Sequence, residues 1–197
     1  MKAAIQELMD EHQVILRVCG ALRGMCLKAA QGGAPDAADL AAALDFIKTF
    51  VDYCHHGKEE DLLFPAMEEA GFPRDGGPVG VMLMEHAQGR EFVRALAAAL
   101  ERLKAGEAAA IKDVLRNASG YAELLTAHIF KEDQILYPMA MDALPEARWE
   151  VLRKEFARVE AQRMGPEKRA AYLKLAERLA AAYPAPAPAQ PTGPFCH

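Results

Sequence analysis

Two short stretches of the chain carry the same set of metal-ligating side chains. CHHGKEEDLLFP occupies residues 54–65 and AHIFKEDQILYP residues 127–138. Aligned from their final prolines, His55 falls on His128, Lys58 on Lys131, Glu59 on Glu132, Leu63 on Leu136 and Pro65 on Pro138. Glu60 then matches Asp133, and Phe64 matches Tyr137. Residues four apart on an α-helix are separated by about 400° of rotation, so His55 with Glu59, and His128 with Glu132, project side by side. Each pair can grip one cation or flank two. Upstream, LMDEH ending at His12 resembles VMLMEH ending at His86, and each precedes its downstream motif by a nearly equal distance. The chain therefore contains an internal repeat, each half supplying one lone histidine and one His-x-x-x-Glu.

Imidazole nitrogen and carboxylate oxygen together suit iron, zinc or manganese, whereas a set without thiolates disfavours a structural zinc site or an iron–sulfur cluster. The candidate ligands are His12, His55, Glu59, His86, His128 and Glu132. Six are too many for one tetrahedral zinc. They suit two metals, with Glu59 and Glu132 as candidate bridges and a coordination position left open. Each residue also has a plainer explanation, since a single histidine on a helix usually packs or faces solvent, and one His-x-x-x-Glu can be a surface pair. Jointly that explanation fails. The repeated stretches hold five of the six histidines, four of them at matched positions, and four imidazoles with two carboxylates inside an apolar bundle would be costly without a cation.

Neighbouring residues are assigned lesser roles. His56 sits about 100° around the helix from His55 and pairs by spacing with Glu60; a His56/Glu60 register is possible, but Ile129 stands at the matching place in the second motif. His56 is thus expected beside the site or at the surface, and Glu60 and Asp133 are expected to hold ligand imidazoles by hydrogen bonds. Met82, Met84, Phe64, Tyr121 and Tyr137 read as core, some of them walling the pocket. Lys58 and Lys131 read as solvated, Cys54 as a buried thiol, and Trp149 as an anchor for a fifth helix.

The elements that must position these residues are helices. Alanine, leucine, glutamate, lysine and arginine dominate, and apolar residues recur at intervals of three and four. Breaks at GGAPD, GFPRDGGP, KAGE, ALPEA and MGPEK leave helices near 3–30, 37–70, 79–104, 108–142, 146–163 and 166–182. Four long helices joined by short connections predict an all-α, up-down antiparallel four-helix bundle over residues 1–143. A helical extension packed on the bundle is expected over 144–183, and a proline-rich flexible tail over 184–197, whose closing Cys196–His197 pair reads as solvated. A formal charge of −5, with acidic residues spread through the helices, gives no footprint for nucleic acid or anionic membrane. No apolar run reaches membrane-spanning length and no signal peptide is evident, so a cytoplasmic protein is expected.

The Glu-His of the first and third helices, HHGKEEDLLFP in the second and HIFKEDQILYP in the fourth resemble the hemerythrin-like HHE cation-binding proteins, over roughly residues 5–142. The resemblance implies a non-haem di-iron centre held by His12, His55, Glu59, His86, His128 and Glu132. Oxygen-carrying hemerythrins place a fifth histidine on the third helix, where this chain has Met82 and Arg90 at the corresponding spacing around His86. The set is nearer to the four-histidine, two-glutamate di-iron members, including those implicated in iron–sulfur repair under nitrosative stress. The resemblance further implies a centre that binds or reduces oxygen, nitric oxide or peroxide, with an electron donor as a further partner. Iron storage or donation is the alternative, and zinc or manganese could replace iron.

Overall fold

The computed structural model describes residues 2–184, and every regular element among them is helical. Helix α1 spans Ala3–Ala30, α2 residues 37–69, α3 Gly77–Lys104, α4 residues 111–143, α5 Glu146–Arg163 and α6 Pro166–Ala182. The tail expected over 184–197, with Cys196 and His197, lies outside the described residues except for Pro184.

Local chemistry sets the helix ends. The Asp36 carboxylate accepts the Ala38 backbone N–H and caps α2. Gly76, at φ 75°, makes the turn into α3, whose first residues include Pro78, and Gly165, at φ 74°, does the same before Pro166 of α6. Helices α1 to α4 run alternately up and down, with α1 packed on α4 and α3 on α4, and with α2 between α1 and α3. Helices α5 and α6 lie outside the bundle against α1 and α2. Trp149 anchors α5 as expected, buried beside Leu152 and Phe156 with its indole N–H donated to the Leu144 carbonyl at 3.1 Å.

The interior is divided into two apolar clusters. One gathers Val18, Leu22, Phe46, Phe50, Leu96 and Tyr121 with residues of α6; the other gathers Ile5, Leu8, Phe64, Met67, Tyr137 and Trp149. Between them lies a layer of buried polar side chains. Of the residues read as core, Met82, Phe64, Tyr121 and Tyr137 are buried, but Met84 is 62% exposed. It sits on the outer face of α3, two residues before His86, and so cannot wall the pocket.

Candidate metal centre

Each His-x-x-x-Glu lies on a helix that departs from regular α geometry. Wide π-type turns cover Ile47–His55 and Glu59–Leu63 in α2 and Glu132–Leu136 in α4. The last two end on matching bonds, from the Phe64 N–H to the Glu59 carbonyl and from the Tyr137 N–H to the Glu132 carbonyl. Pro65 and Pro138 follow immediately. A proline inside a helix lacks the N–H for the bond to residue i−4 and its ring crowds that carbonyl, and the widened turn accommodates both. The two prolines thus help shape the helix at the residues where the carboxylates point inward.

All six candidate ligands come together in the polar layer, at 0–2% exposure. His12 Nε2 and His55 Nε2 are 3.0 Å apart, and His86 Nε2 and His128 Nε2 are likewise 3.0 Å apart. Glu132 spans the two pairs, with Oε2 3.2 Å from His12 Nε2 and Oε1 3.2 Å from His128 Nε2. Glu59 Oε2 lies between the same pairs, 3.7 Å from His55 Nε2 and 3.6 Å from His86 Nε2. Its other oxygen, Oε1, accepts the Tyr137 hydroxyl at 2.6 Å.

The outer nitrogens fix the tautomers. Nδ1–H of His12 faces Asp133 at 2.7 Å, that of His55 faces Glu11 at 2.9 Å, that of His86 faces Glu60 at 2.7 Å and that of His128 faces Glu85 at 2.9 Å. Each carboxylate holds the proton on Nδ1 and turns the Nε2 lone pair inward. Two lone pairs facing each other at 3.0 Å need a cation between them. Two nitrogens bound at right angles to one ion, each about 2.1 Å from it, would be about 3 Å apart.

The carboxylates point the same way. Glu59 Oε2 and both oxygens of Glu132 are buried without a hydrogen-bond partner, an arrangement that costs several kcal/mol unless a positive charge satisfies it. Burial and the adjacent Glu132 push the Glu59 carboxyl well above the usual range. Burial works against protonation of the imidazoles and takes His55 down to about 4; at His12 the bond to Asp133 and the nearby Glu132 carboxylate overcome it and raise the value to about 9. A proton on the His12–His55 pair therefore occupies the place a metal ion would take, and metal binding would release it.

Glu60 and Asp133 hold imidazoles as expected from the sequence, and Glu11 and Glu85 do the same without having been expected to. Their signal is the repeated Glu-His pair, in which each precedes the lone histidine of its half. Lys58 departs from expectation. It is fully buried, with Nζ donating to Glu7 at 2.6 Å, to Glu11 at 2.7 Å and to Glu160 at 3.0 Å. Burial opposes its charge, but Glu11 and Glu7 hold its pKa above the ordinary lysine value. The buried charge is held by these three carboxylates, of which Glu11 also accepts from His55. Lys131 makes the matching bond to Glu85 and is partly exposed. Cys54 is a buried thiol, pushed up to about 12 chiefly by burial.

The family model for the hemerythrin HHE cation-binding domain matches residues 3–140, a span that holds all six side chains. The chain belongs to this hemerythrin family. Cation binding comes with that membership, and the His/Glu layer supplies the groups to hold the metal. Uncharacterized proteins of Mycobacterium tuberculosis and Mycobacterium bovis are 24% identical to this hemerythrin-like chain over 162 residues. The match covers 82% of the chain and 63% of each relative, so the chain spans less than two thirds of their length. No solved structure matches significantly. Among the described residues, no helix is long and apolar enough to cross a membrane.

Proposed function

We propose that His12, His55, Glu59, His86, His128 and Glu132 hold two non-haem iron ions, and that the centre binds or reduces oxygen, nitric oxide or peroxide. The observation that carries this reading is the pair of inward-facing Nε2 contacts at 3.0 Å, each backed by carboxylates on Nδ1 and joined by carboxylate oxygens that have no other partner. Thiolate-free nitrogen and oxygen donors in this number favour paired iron over a single tetrahedral zinc. Iron would supply the change of oxidation state and an exchangeable coordination position. The chain supplies the rest. Each half gives two imidazoles to its own side and one carboxylate to both, and the two apolar clusters exclude bulk water. The Tyr137 hydroxyl, on Glu59 and 3.4 Å from His12 Nε2, places a proton beside that side of the centre.

The test is metal content per chain on protein purified anaerobically, followed by optical spectra after separate addition of oxygen, nitric oxide and peroxide. About two irons per chain and a ligand-dependent band support the reading; a stable, reversible band marks a binder and rapid consumption marks an enzyme. Less than one iron, or stoichiometric zinc indifferent to all three, would overturn it.

A further inference from the structure

Helices α5 and α6 lie against α1 and α2 and leave the α3–α4 face of the bundle open. On that face Val81, Met84, Phe130 and Ile135 keep 37–64% of their surface exposed. An open cleft of about 360 Å³ runs between Val81 and Ile135, lined also by the buried Met82 and Leu136. By the repeat, Val81 stands where the first half has Glu7, Met84 where it has Asp10, Phe130 where it has Gly57 and Ile135 where it has Leu62. There α5 crosses, with Arg163 over Gly57 and Glu160 bonded to Lys58. The half that the chain covers for itself is thus charged or bare at three of these places, and the half left open is apolar at all four.

Charge and position narrow what fits this face. Residues 77–88 and 127–135 bring four charged side chains, Glu85, Lys131, Glu132 and Asp133. Glu85 and Lys131 pair with each other, Glu132 is buried, and Asp133 is bonded to His12, so the face carries no net charge. Glu85 also lies 2.9 Å from Nδ1 of His128. One hydrogen bond therefore separates a candidate metal ligand from the partly exposed carboxylate between Met84 and His86. The four apolar side chains offer on the order of 400 Å² of surface, the size of a functional patch on a monomer. A stable dimer needs roughly 800 Å² from each partner, whereas transient redox encounters bury less.

We propose that the α3–α4 face docks a one-electron carrier protein, which meets it through an uncharged, apolar surface around its own redox group. This rests on the redox di-iron reading above. At each encounter the carrier loses one electron and one ferric ion becomes ferrous. No bond forms or breaks, and two encounters reduce both ions. Glu85 and His128 mark the point of the face nearest the centre.

The test follows loss of ferric absorption when the oxidised, iron-loaded full chain is mixed anaerobically with dialysed soluble extract of the source organism and NADH or NADPH. Dithionite, which needs no docking, is the reference reductant. The double variant Met84→Gln, Phe130→Gln keeps the face uncharged and should be reduced by the extract about 10-fold more slowly than wild type, with its dithionite rate unchanged. Val151→Gln, at an exposed apolar position of α5, should match wild type. Because the face has no net charge, raising ionic strength from about 0.05 to about 0.5 M should change the extract-driven rate less than about twofold. Equal rates for wild type and double variant, an equal loss in Val151→Gln, a steep fall with salt, or no extract-driven reduction would each overturn the docking proposal alone. So would a wild-type dimer in sedimentation equilibrium that the double variant abolishes, since a second copy would then occupy the face. Ferric absorption that dithionite leaves unchanged would instead overturn the redox reading beneath it. If the double variant fails to fold, Ile135→Gln takes its place, with a slower extract-driven rate expected and an unchanged one decisive against the proposal.

Discussion

On the His12–His55 side, the carboxylate behind the imidazole is Glu11 and its lysine is Lys58, both fully buried beneath α5 and α6. Glu160 of α5 and Arg169 of α6 complete that cluster, with Arg169 donating to Glu11 at 2.9 Å and to Glu160 at 3.0 Å. On the His86–His128 side, Glu85 and Lys131 occupy matching positions at the edge of solvent. The docking of α5 explains the difference in part. A Cβ at Gly57 would stand 1.7 Å from Nη1 of Arg163, which crosses α2 there and donates to the Tyr53 carbonyl at 2.8 Å. The second motif has Phe130 at that position, 64% exposed. The inward-facing chemistry is therefore duplicated almost residue for residue, while the outward faces have diverged around the extension.

The bridging carboxylates give the largest test of this near-symmetry. Glu132 offers both oxygens and Glu59 one, so Glu132→Ala should take bound metal from about two ions per chain to below one, and Glu59→Ala should lower it less, by elemental analysis. Equal losses would mean that the Tyr137 bond does not distinguish the two carboxylates.

The lysines test the outer layers. Lys58→Met strips a buried cation from Glu11 and Glu7 and should cost about 3–5 kcal/mol in urea unfolding. Lys131→Met, at a partly exposed position, should cost no more than about 1 kcal/mol. Similar values for the two would show that α5 and α6 do not seal the first side.

Glu11→Gln and Glu85→Gln should each weaken metal binding about 10- to 100-fold in competition with a chelator, because the imidazole behind which each sits loses its orienting charge. The same variants carry a pH signature in the metal-free protein. Burial would raise Glu11, but His55 and Lys58 hold it well below its ordinary value of 4.5; Glu85 is likewise lowered, with Lys131 and His128 outweighing its smaller burial. A depressed folded pKa stabilises above the unfolded value and loses that contribution as pH falls through the folded one. The stability gap between wild type and either variant should thus be full above about pH 4.5 and shrink in more acid solution, with the gap for Glu11→Gln the larger. A gap that widens toward acid pH would contradict this sign.

Tyr137→Phe makes the two aromatic positions alike, since Phe64 is its counterpart. It removes the hydroxyl from Glu59 while keeping the ring stacked on His12 at 5.5 Å. The expected cost is about 1–2 kcal/mol in thermal unfolding, with Glu132 then no longer distinguished from Glu59 in the metal-content test.

Ligand positions and the long helices are legible in the sequence because they depend on period: a repeat of His-x-x-x-Glu, lone histidines at matched distances, and apolar residues three and four apart. The π-type turns escape a reading by period, although their cause stands in plain sight as Phe-Pro and Tyr-Pro at the ends of both motifs. Carrying α-helical rotation straight through Pro65 and Pro138 misses the widened turn that precedes each. Lys58 reads as solvated because its sequence neighbours are charged, whereas its burial is imposed by Glu160 and the two outer helices, far along the chain. Glu11 and Glu85 act across helix interfaces, and spacing within one helix says nothing about such partners.

The polar layer between two apolar clusters also fixes how the four helices slide against one another. A shift of any bundle helix by one turn would move a histidine or glutamate in among Phe64, Leu8 and Tyr137, or among Phe50, Leu22 and Leu96, and would carry an apolar side chain into the layer of charges. Each such slip leaves a buried polar group stranded. The candidate metal centre thereby doubles as a vernier: it sets the vertical alignment of the bundle, and an ion shared by both halves would tighten that alignment at the point where all four helices meet.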